Sequence, residues 1–426
     1  MEYFSNNIQF SLLKNYLIND PILDYFNIHE NDYHKDDISY YKNYIIKESN
    51  DYKFKFFKKI IEISELNILI QNNIQETIQK IKNNIPLIIQ GILFDENEKL
   101  LISCDIIIKY KLFRKLFPKI INIPFHLLLK KNDYLLINIS YSTVNFNIDL
   151  KNIHNDNLIF YKKCKLYSFQ KIFNQYTKYK SYNFIMAKEY KYKNILLSKK
   201  EFIGFVSIND KIKYKIKNAR NWIHYLKENN HKIQLYPEPS CNELYPNMNH
   251  NESDWENEKL NLANKIKEIT LIWNISYDQR CDLLNKNIKC WDDTNLLKEL
   301  KETKNKNIQE KIIHINQQND ILISPRISIS QDFKNILLKS KYDIFFDIES
   351  FLSFNEKNGL FDNIIKKKDP MIAIIGLIHN QKYKDFTIED FSTVSEKKII
   401  QNFAKFLHFI SKKNNNNDTD NIIKIY

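Results

Sequence analysis

The chain is poor in residues that punctuate a fold, with 4 glycines and 9 prolines in 426 residues. Its five cysteines, Cys104, Cys164, Cys241, Cys281 and Cys290, are odd in number, scattered and never spaced CxxC. That pattern argues against a zinc knuckle and a disulfide framework, and it suits a reducing compartment. No stretch approaches about 18 uninterrupted apolar residues, and the N-terminus MEYFSNNIQF lacks a basic region leading into an apolar run. A soluble intracellular protein is expected, in cytoplasm or nucleus, with no membrane partner.

What is present bounds the fold. A hydrophobic content of 43% over 426 residues can bury a sizeable core, and the length predicts two or three domains. The formal charge of +13 points to polyanionic partners, nucleic acid first. Asn, Ile, Lys and Tyr are abundant throughout, however, and such a compositional drift supplies excess charge without any binding role.

Residues 1–65 mix aromatics, Lys and Asp without a sharp period and read as a weakly specified arm. A helical period follows, with Ile70, Ile74, Ile78 and Ile81 on one face. Two strands joined by a polar turn come next in IPLIIQGILFDENEKLLISCDIIIKYKLFRKLF, then the strand YLLINISYSTV and the helix YKKCKLYSFQKIFNQY. Strand-like text recurs at YNFIMAKEY and EFIGFVSI, followed by a helix at IKNARNWIHYLKEN. The cluster YPEPSCNELYPNMNHNESD marks a loop. Helices are expected at WENEKLNLANKIKEITLIW and YDQRCDLLNKN, and the polar run 301–320 places a boundary near residue 330. The final 90 residues read as three strands, a helix and an apolar stub.

The stretch YDIFFDIESF, residues 342–351, ends an apolar strand in Asp347 and Glu349. Alternation along a strand puts both acids on the face shared with Phe345, opposite Ile344, Phe346 and Ile348. At about 6 Å and an effective dielectric of about 20, the two charges repel by roughly 3 kcal/mol. A bound cation would relieve that repulsion; solvation at a strand end is the plain alternative.

This DxE strand, followed by two strands, a helix and a strand, resembles the ribonuclease-H-like fold of the DEDD 3′-to-5′ exonucleases. The resemblance implies that Asp347 and Glu349 are catalytic ligands of Mg²⁺ or Mn²⁺, and that two cations flank a scissile phosphate. The family's remaining ligands lie after the strand in which this sequence ends at Tyr426. A fragment with half a metal site, inactive or nearly so by itself, is therefore expected.

Upstream, residues 70–170 resemble the RecB-type PD-(D/E)xK nuclease core in element order. The resemblance makes Asp105 a vestigial metal-binding acid and Glu76 a vestigial helix acid. Asn138 and Ser140 stand where the family carries an acid and a lysine, and Lys165 stands where a glutamine is usual. An amide supplies no anionic ligand and a serine does not replace a lysine that polarises water, so this core is predicted to be catalytically dead. Lys109, Lys111, Arg114 and Lys115 are candidate phosphate contacts, with a solvated helix face as the alternative.

Residues 243–293 resemble the connector of predicted RecB-family nucleases fused to a YprB-type ribonuclease-H-like domain, a combination found in large DNA viruses; the chain could then be a viral protein in a host cell. Within that connector, EITLIWNISYDQRCDLLNKNIKCWDD is similar to a helix-hairpin-helix with Asn274 and Asn287 in place of turn glycines. Trp222, Trp255, Trp273 and Trp291 are expected to pack rather than to stack on bases.

The expected fold class is mixed α/β. An arm (1–65) precedes a PD-(D/E)xK-like core (66–235), a helical connector (236–330) and the start of a ribonuclease-H-like domain (331–426). The expected function is a metal-dependent nuclease of the 3′-to-5′ exonuclease type acting on DNA or RNA. The alternative is a non-catalytic nucleic-acid-binding or scaffold protein built on decayed nuclease folds.

Overall fold

A computed structural model describes residues 7–37, 40–66, 73–124, 127–150, 152–193, 195–229, 232–250, 253–300, 306–317, 344–352, 370–379, 382–390 and 392–414. The protein is mixed α/β and divides into two compact units, Met1–Ile321 and Leu322–Tyr426.

The first unit begins with β1 (Ile8–Gln9), α1 (Lys14–Leu17) and α2 (Ile22–Ile28). Much of residues 8–26 of the arm expected here is core instead, while residues 30–37 are exposed or half-buried. Ile8 pairs in parallel with Leu100, and Phe10, Leu13, Leu17, Ile22 and Phe26 are buried. The polar groups that make this burial possible find partners far along the chain. Asp24 Oδ2 accepts the indole N–H of Trp222 at 3.0 Å, and Asn27 Oδ1 accepts that of Trp255 at 2.9 Å. Asp20 meets the Lys259 ammonium at 2.8 Å, with both side chains fully enclosed. The long α3 (Tyr40–Ser64) buries Tyr52, Phe56, Phe57 and Ile60, a stripe at helical spacing.

Next come α4 (Ile74–Lys82), β2 (Leu87–Asp95), β3 (Leu100–Lys109), α5 (Tyr110–Leu116), β4 (Tyr134–Asn145), α6 (Asn157–Phe173) and β5 (Ser181–Tyr192). β2 and β3 form an antiparallel hairpin, turned by Asp95, whose Oδ1 accepts the N–H groups of Asn97 and Glu98 at 3.1 Å each. β4 continues antiparallel to β3, Ile106 facing Ile137. α6, capped by Asp156 Oδ1 on Ile159 N–H at 2.7 Å, then returns the chain to β5, which runs parallel to β4. β6 (Ile195–Leu197) and β7 (Gly204–Phe205) add to β5, completing a seven-stranded sheet among the described residues, and α7 (Asp210–Asn229) follows.

The connector holds α8 (Glu256–Ile266), α9 (Tyr277–Asn285), α10 (Leu296–Glu299) and α11 (Lys306–Gln317). The helix expected over 255–273 stops at Ile266, because Lys267 turns left-handed at φ 53°. Asn274 and Asn287, at φ 65° and 61°, hold the left-handed turn positions anticipated from the sequence. Ile269, Ile272, Ile275, Leu283, Ile288, Leu296, Leu300 and Ile313 form a small core of their own. The polar run near 301–320 contributes α11 to that core through Ile313. Trp222 and Trp255 are buried and Trp291 packs against the small core, whereas Trp273 is 55% exposed.

The second unit consists, among its described residues, of β8 (Ile344–Leu352), β9 (Pro370–His379), β10 (Lys382–Thr387) and α12 (Thr393–Asn414). The three strands form an antiparallel sheet in the order β10-β9-β8. One face packs Ile344, Phe346, Leu377 and Phe386 with Phe403, Phe406, Leu407 and Ile410 of α12. The stub expected at 421–426 lies outside the described residues.

Candidate functional site

Two places concentrate the polar chemistry. In the second unit the β8–β9 register is unbroken from Ile344 through Glu349, so Phe345, Asp347 and Glu349 share the face opposite α12. Both carboxylates are exposed. Asp347 Oδ1 accepts the N–H of Ile348 at 2.8 Å. Gly376 of β9 lies opposite both Asp347 and Asp385 of β10, which brings a third exposed acid to the same face. The tyrosine ring of Tyr383 lies over Gly376, where an added Cβ would meet its hydroxyl at 3.2 Å. Asp385 sits roughly 10 Å from Asp347, two strand spacings away, and its Oδ2 accepts the Thr387 hydroxyl at 3.0 Å.

The donor chemistry of Asp347 and Glu349 suits a hard divalent cation: two exposed carboxylates on one face. Among the described residues, no group of three or more His, Cys, Asp or Glu is gathered tightly enough to hold an ion.

The second place lies in the first unit, around Asp105 of β3. The strand ladder is interrupted where Gln90 faces Asp105, and Gln90 adopts φ 51°, a strained value for a non-glycine residue. The Asp105 carboxylate is largely enclosed. Its Oδ1 accepts from the Lys53 ammonium at 2.9 Å and its Oδ2 from the Ile139 N–H at 2.8 Å. Asn138, on the neighbouring strand, is buried and accepts the Asp105 N–H at 3.5 Å. Ser140, fully buried, shares its hydroxyl with Ser142 at 2.6 Å and accepts from Lys162 Nζ at 2.5 Å.

Lys162 and Lys165 stand one turn apart on α6. Burial pushes the Lys162 ammonium down to about 8, against the pull of Asp105 and with the repulsion of Lys53 and Lys165. Lys165 is likewise lowered, first by burial and also by Lys53, with Asp105 opposing. Nearby, burial raises the Tyr161 phenol and the Cys104 thiol to about 12, and the charge of Asp105 adds to each. The adjacent Lys163, lowered to about 8 by burial, is committed elsewhere, donating to Ile153 O at 2.9 Å and Asn155 Oδ1 at 2.5 Å.

The structure thus brings together Asp105, Asn138, Ser140 and Lys165, and it adds Lys53 and Lys162, which the sequence did not single out. The residues present here do not fit a divalent cation, because an ammonium holds one Asp105 oxygen, a backbone amide holds the other, and Asn138, Ser140, Lys162 and Lys165 around it supply no second anionic ligand. Glu76 is exposed and caps α4 in a reciprocal pair with Asn73, with Asn73 Oδ1 accepting the Glu76 N–H at 2.8 Å.

The four candidate phosphate contacts divide. Arg114 donates to the carbonyls of Ile120 at 2.6 Å and Pro118 at 3.3 Å, which binds it to its own loop. Lys109, lowered by burial, lies over the rings of Tyr179 and Tyr134 at 5.2 and 5.6 Å. Lys111 and Lys115 are exposed, the latter 3.9 Å from Glu65.

No family model, curated protein or solved structure matches the chain. No described helix is long and apolar enough to cross a membrane.

Proposed function

We propose that this chain belongs to a metal-dependent nuclease of the 3′-to-5′ exonuclease type, in which Asp347 and Glu349 hold Mg²⁺ or Mn²⁺ and the upstream core binds nucleic acid without hydrolysing it. The observation that carries this reading is the placement of both carboxylates on the exposed face of β8 while Ile344 and Phe346 on the other face pack with α12. When bound, the cations supply a water nucleophile for the phosphodiester and stabilise the leaving oxygen. The chain's own contribution is orientation: the β8–β9 ladder fixes the two carboxylates roughly 7 Å apart at Cα, and packing on α12 holds the strand rigid. The order of the first unit supports a nuclease-derived origin. It runs helix, two antiparallel strands, the short α5, a third antiparallel strand, helix, parallel strand, with Asp105 on the middle strand of the three.

The test is Mn²⁺ titration of the full chain followed by electron paramagnetic resonance. Asp347→Asn with Glu349→Gln is expected to weaken Mn²⁺ binding by about a hundredfold or more, on the scale of about tenfold for each of the two charged ligands lost. Equal affinity in parent and variant would remove the metal site from consideration. A second reading, a binding protein without catalysis, is favoured by the Lys53–Asp105 contact, which fills the upstream acid with a cation of the protein itself.

A further inference from the structure

The lysines around Asp105 present an unbalanced charge. Lys53 meets the Asp105 carboxylate at 2.9 Å, and Lys162 and Lys165, one turn apart on α6, feel its charge, leaving an excess of two positive charges around one acid among half-buried side chains. Asp156, the other acid that acts on Lys162, is occupied in capping α6. Lys53 is satisfied by Asp105 and Lys162 by Ser140. The Lys165 side chain is half-buried as well, yet its ammonium makes no hydrogen bond or close ion pair with any described residue. Buried like charges repel one another, and an unpartnered buried cation costs several kinds of solvation at once. A protein that only needed to close a decayed site would fill it with apolar side chains, as it has elsewhere in this core. Retaining three ammonium groups beside Ser140 and Asn138 makes sense when an anion completes the arrangement.

We propose that Lys53, Lys162 and Lys165 form a metal-free anion site that takes one phosphate group, its oxygens accepting from the three ammonium groups. The site depends on the proposed nuclease-derived reading only for the source of the phosphate, a nucleic-acid backbone; a phosphorylated small molecule offers the same chemistry. Asp105 acts as a positioning residue, holding Lys53 over the site from the long helix α3. The break in the ladder opposite Asp105, at Gln90, leaves that stretch of strand without its regular pairing.

The experiment uses the full chain in EDTA at low ionic strength, with inorganic pyrophosphate as probe and titration calorimetry as readout. Pyrophosphate is expected to bind saturably. Lys162→Met, Lys165→Met and Lys53→Met should each weaken it by about tenfold or more, the scale of one charge-assisted hydrogen bond. Lys265→Met, on the exposed side of α8, should leave it unchanged. Thermal melts separate this role from a structural one: Lys165→Met should melt higher than the parent while binding worse, whereas a lysine kept for stability would melt lower when replaced. Absence of saturable binding, or unchanged binding in all three site variants, overturns the proposal. A single-stranded oligonucleotide added to the pyrophosphate complex identifies the source. Competition assigns the site to nucleic acid; pyrophosphate binding without competition keeps the anion site and refutes the nucleic-acid reading of the upstream core. The Mn²⁺ titration at Asp347 and Glu349 is independent of either result.

Discussion

Lys162→Met should make the protein more stable at neutral pH and less stable at high pH. The Lys162 ammonium lies at about 8 against an ordinary 10.5. At about 1.4 kcal/mol per pH unit, keeping it protonated in the folded protein at pH 7 costs about 3 kcal/mol. The hydrogen bond to Ser140 at 2.5 Å is lost in the variant and enters separately. Between about pH 8 and 10.5 the unfolded chain holds a proton that the folded chain has released, so parent stability rises with pH across that window. Methionine has no proton to lose and its length suits the same space. Allowing about 1 kcal/mol for the lost hydrogen bond, the variant should be about 2 kcal/mol more stable at pH 7 and about 1 kcal/mol less stable near pH 10.5. Urea unfolding at several pH values measures this without screening the charges. Buried Trp222 and Trp255 report on the first unit by fluorescence. Groups beyond Asp105, Lys53, Asp156 and Lys165, the charges that act on Lys162, titrate alike in both proteins and cancel in the difference. Parallel stability curves for parent and variant from pH 7 to 10 would refute the reasoning.

Other perturbations test other parts of the molecule. Glu268 and Arg280 form a fully buried ion pair at 3.3 Å, with Arg280 also donating to Tyr245 O at 2.7 Å. Glu268→Ala strands the guanidinium and should cost about 3–5 kcal/mol, whereas pairing it with Arg280→Met should recover much of the loss, both read by urea unfolding. Asn287→Ala places a poorly tolerated side chain at φ 61° and should lower stability by about 1 kcal/mol, while Asn287→Gly should be neutral or mildly stabilising; unfolding midpoints that match for the alanine and glycine variants would contradict the turn assignment. Gly204→Ala would bring a Cβ to 2.9 Å from Ile153 Cγ2 and 3.2 Å from the Ile185 carbonyl. The backbone oxygen cannot move aside cheaply, so a loss of about 1–3 kcal/mol is expected in the same unfolding assay.

Much of the sheet was legible because its strands are apolar runs bounded by polar turns: β2, β3, β4, β8 and β9 all fall where the residues predict them. The Asn turns were legible for a local reason too, since Asn is among the few residues that accept a left-handed backbone. The N-terminal segment was opaque. Its aromatic stripe on α3 is at helical spacing, but intervening Lys and Asp residues gave it the look of solvated text. Asp20 and Asp24 are charges in a core whose partners, Lys259 and Trp222, lie hundreds of residues away, and no local pattern encodes such a pairing. The lysine cluster was hidden by abundance. In a chain with 64 Lys and Arg, three of those lysines do not stand out as a group until a fold sets them around one acid. The spacing of Lys162 and Lys165 was a usable clue, as it places both on one side of α6.

The burial of the first segment imposes an order of events on biosynthesis. Hydrogen bonds from the Trp222 indole to Asp24 and from the Trp255 indole to Asn27 span 198 and 228 residues. Residues 8–27 must therefore wait, apolar and unpaired, until the chain has been made through Trp255. Such long-range closure slows folding and prolongs exposure of sticky surface. Chaperone dependence during synthesis, and failure of chains that start at α4 to reach a native core, follow from where Ile8, Phe10 and Phe26 come to rest.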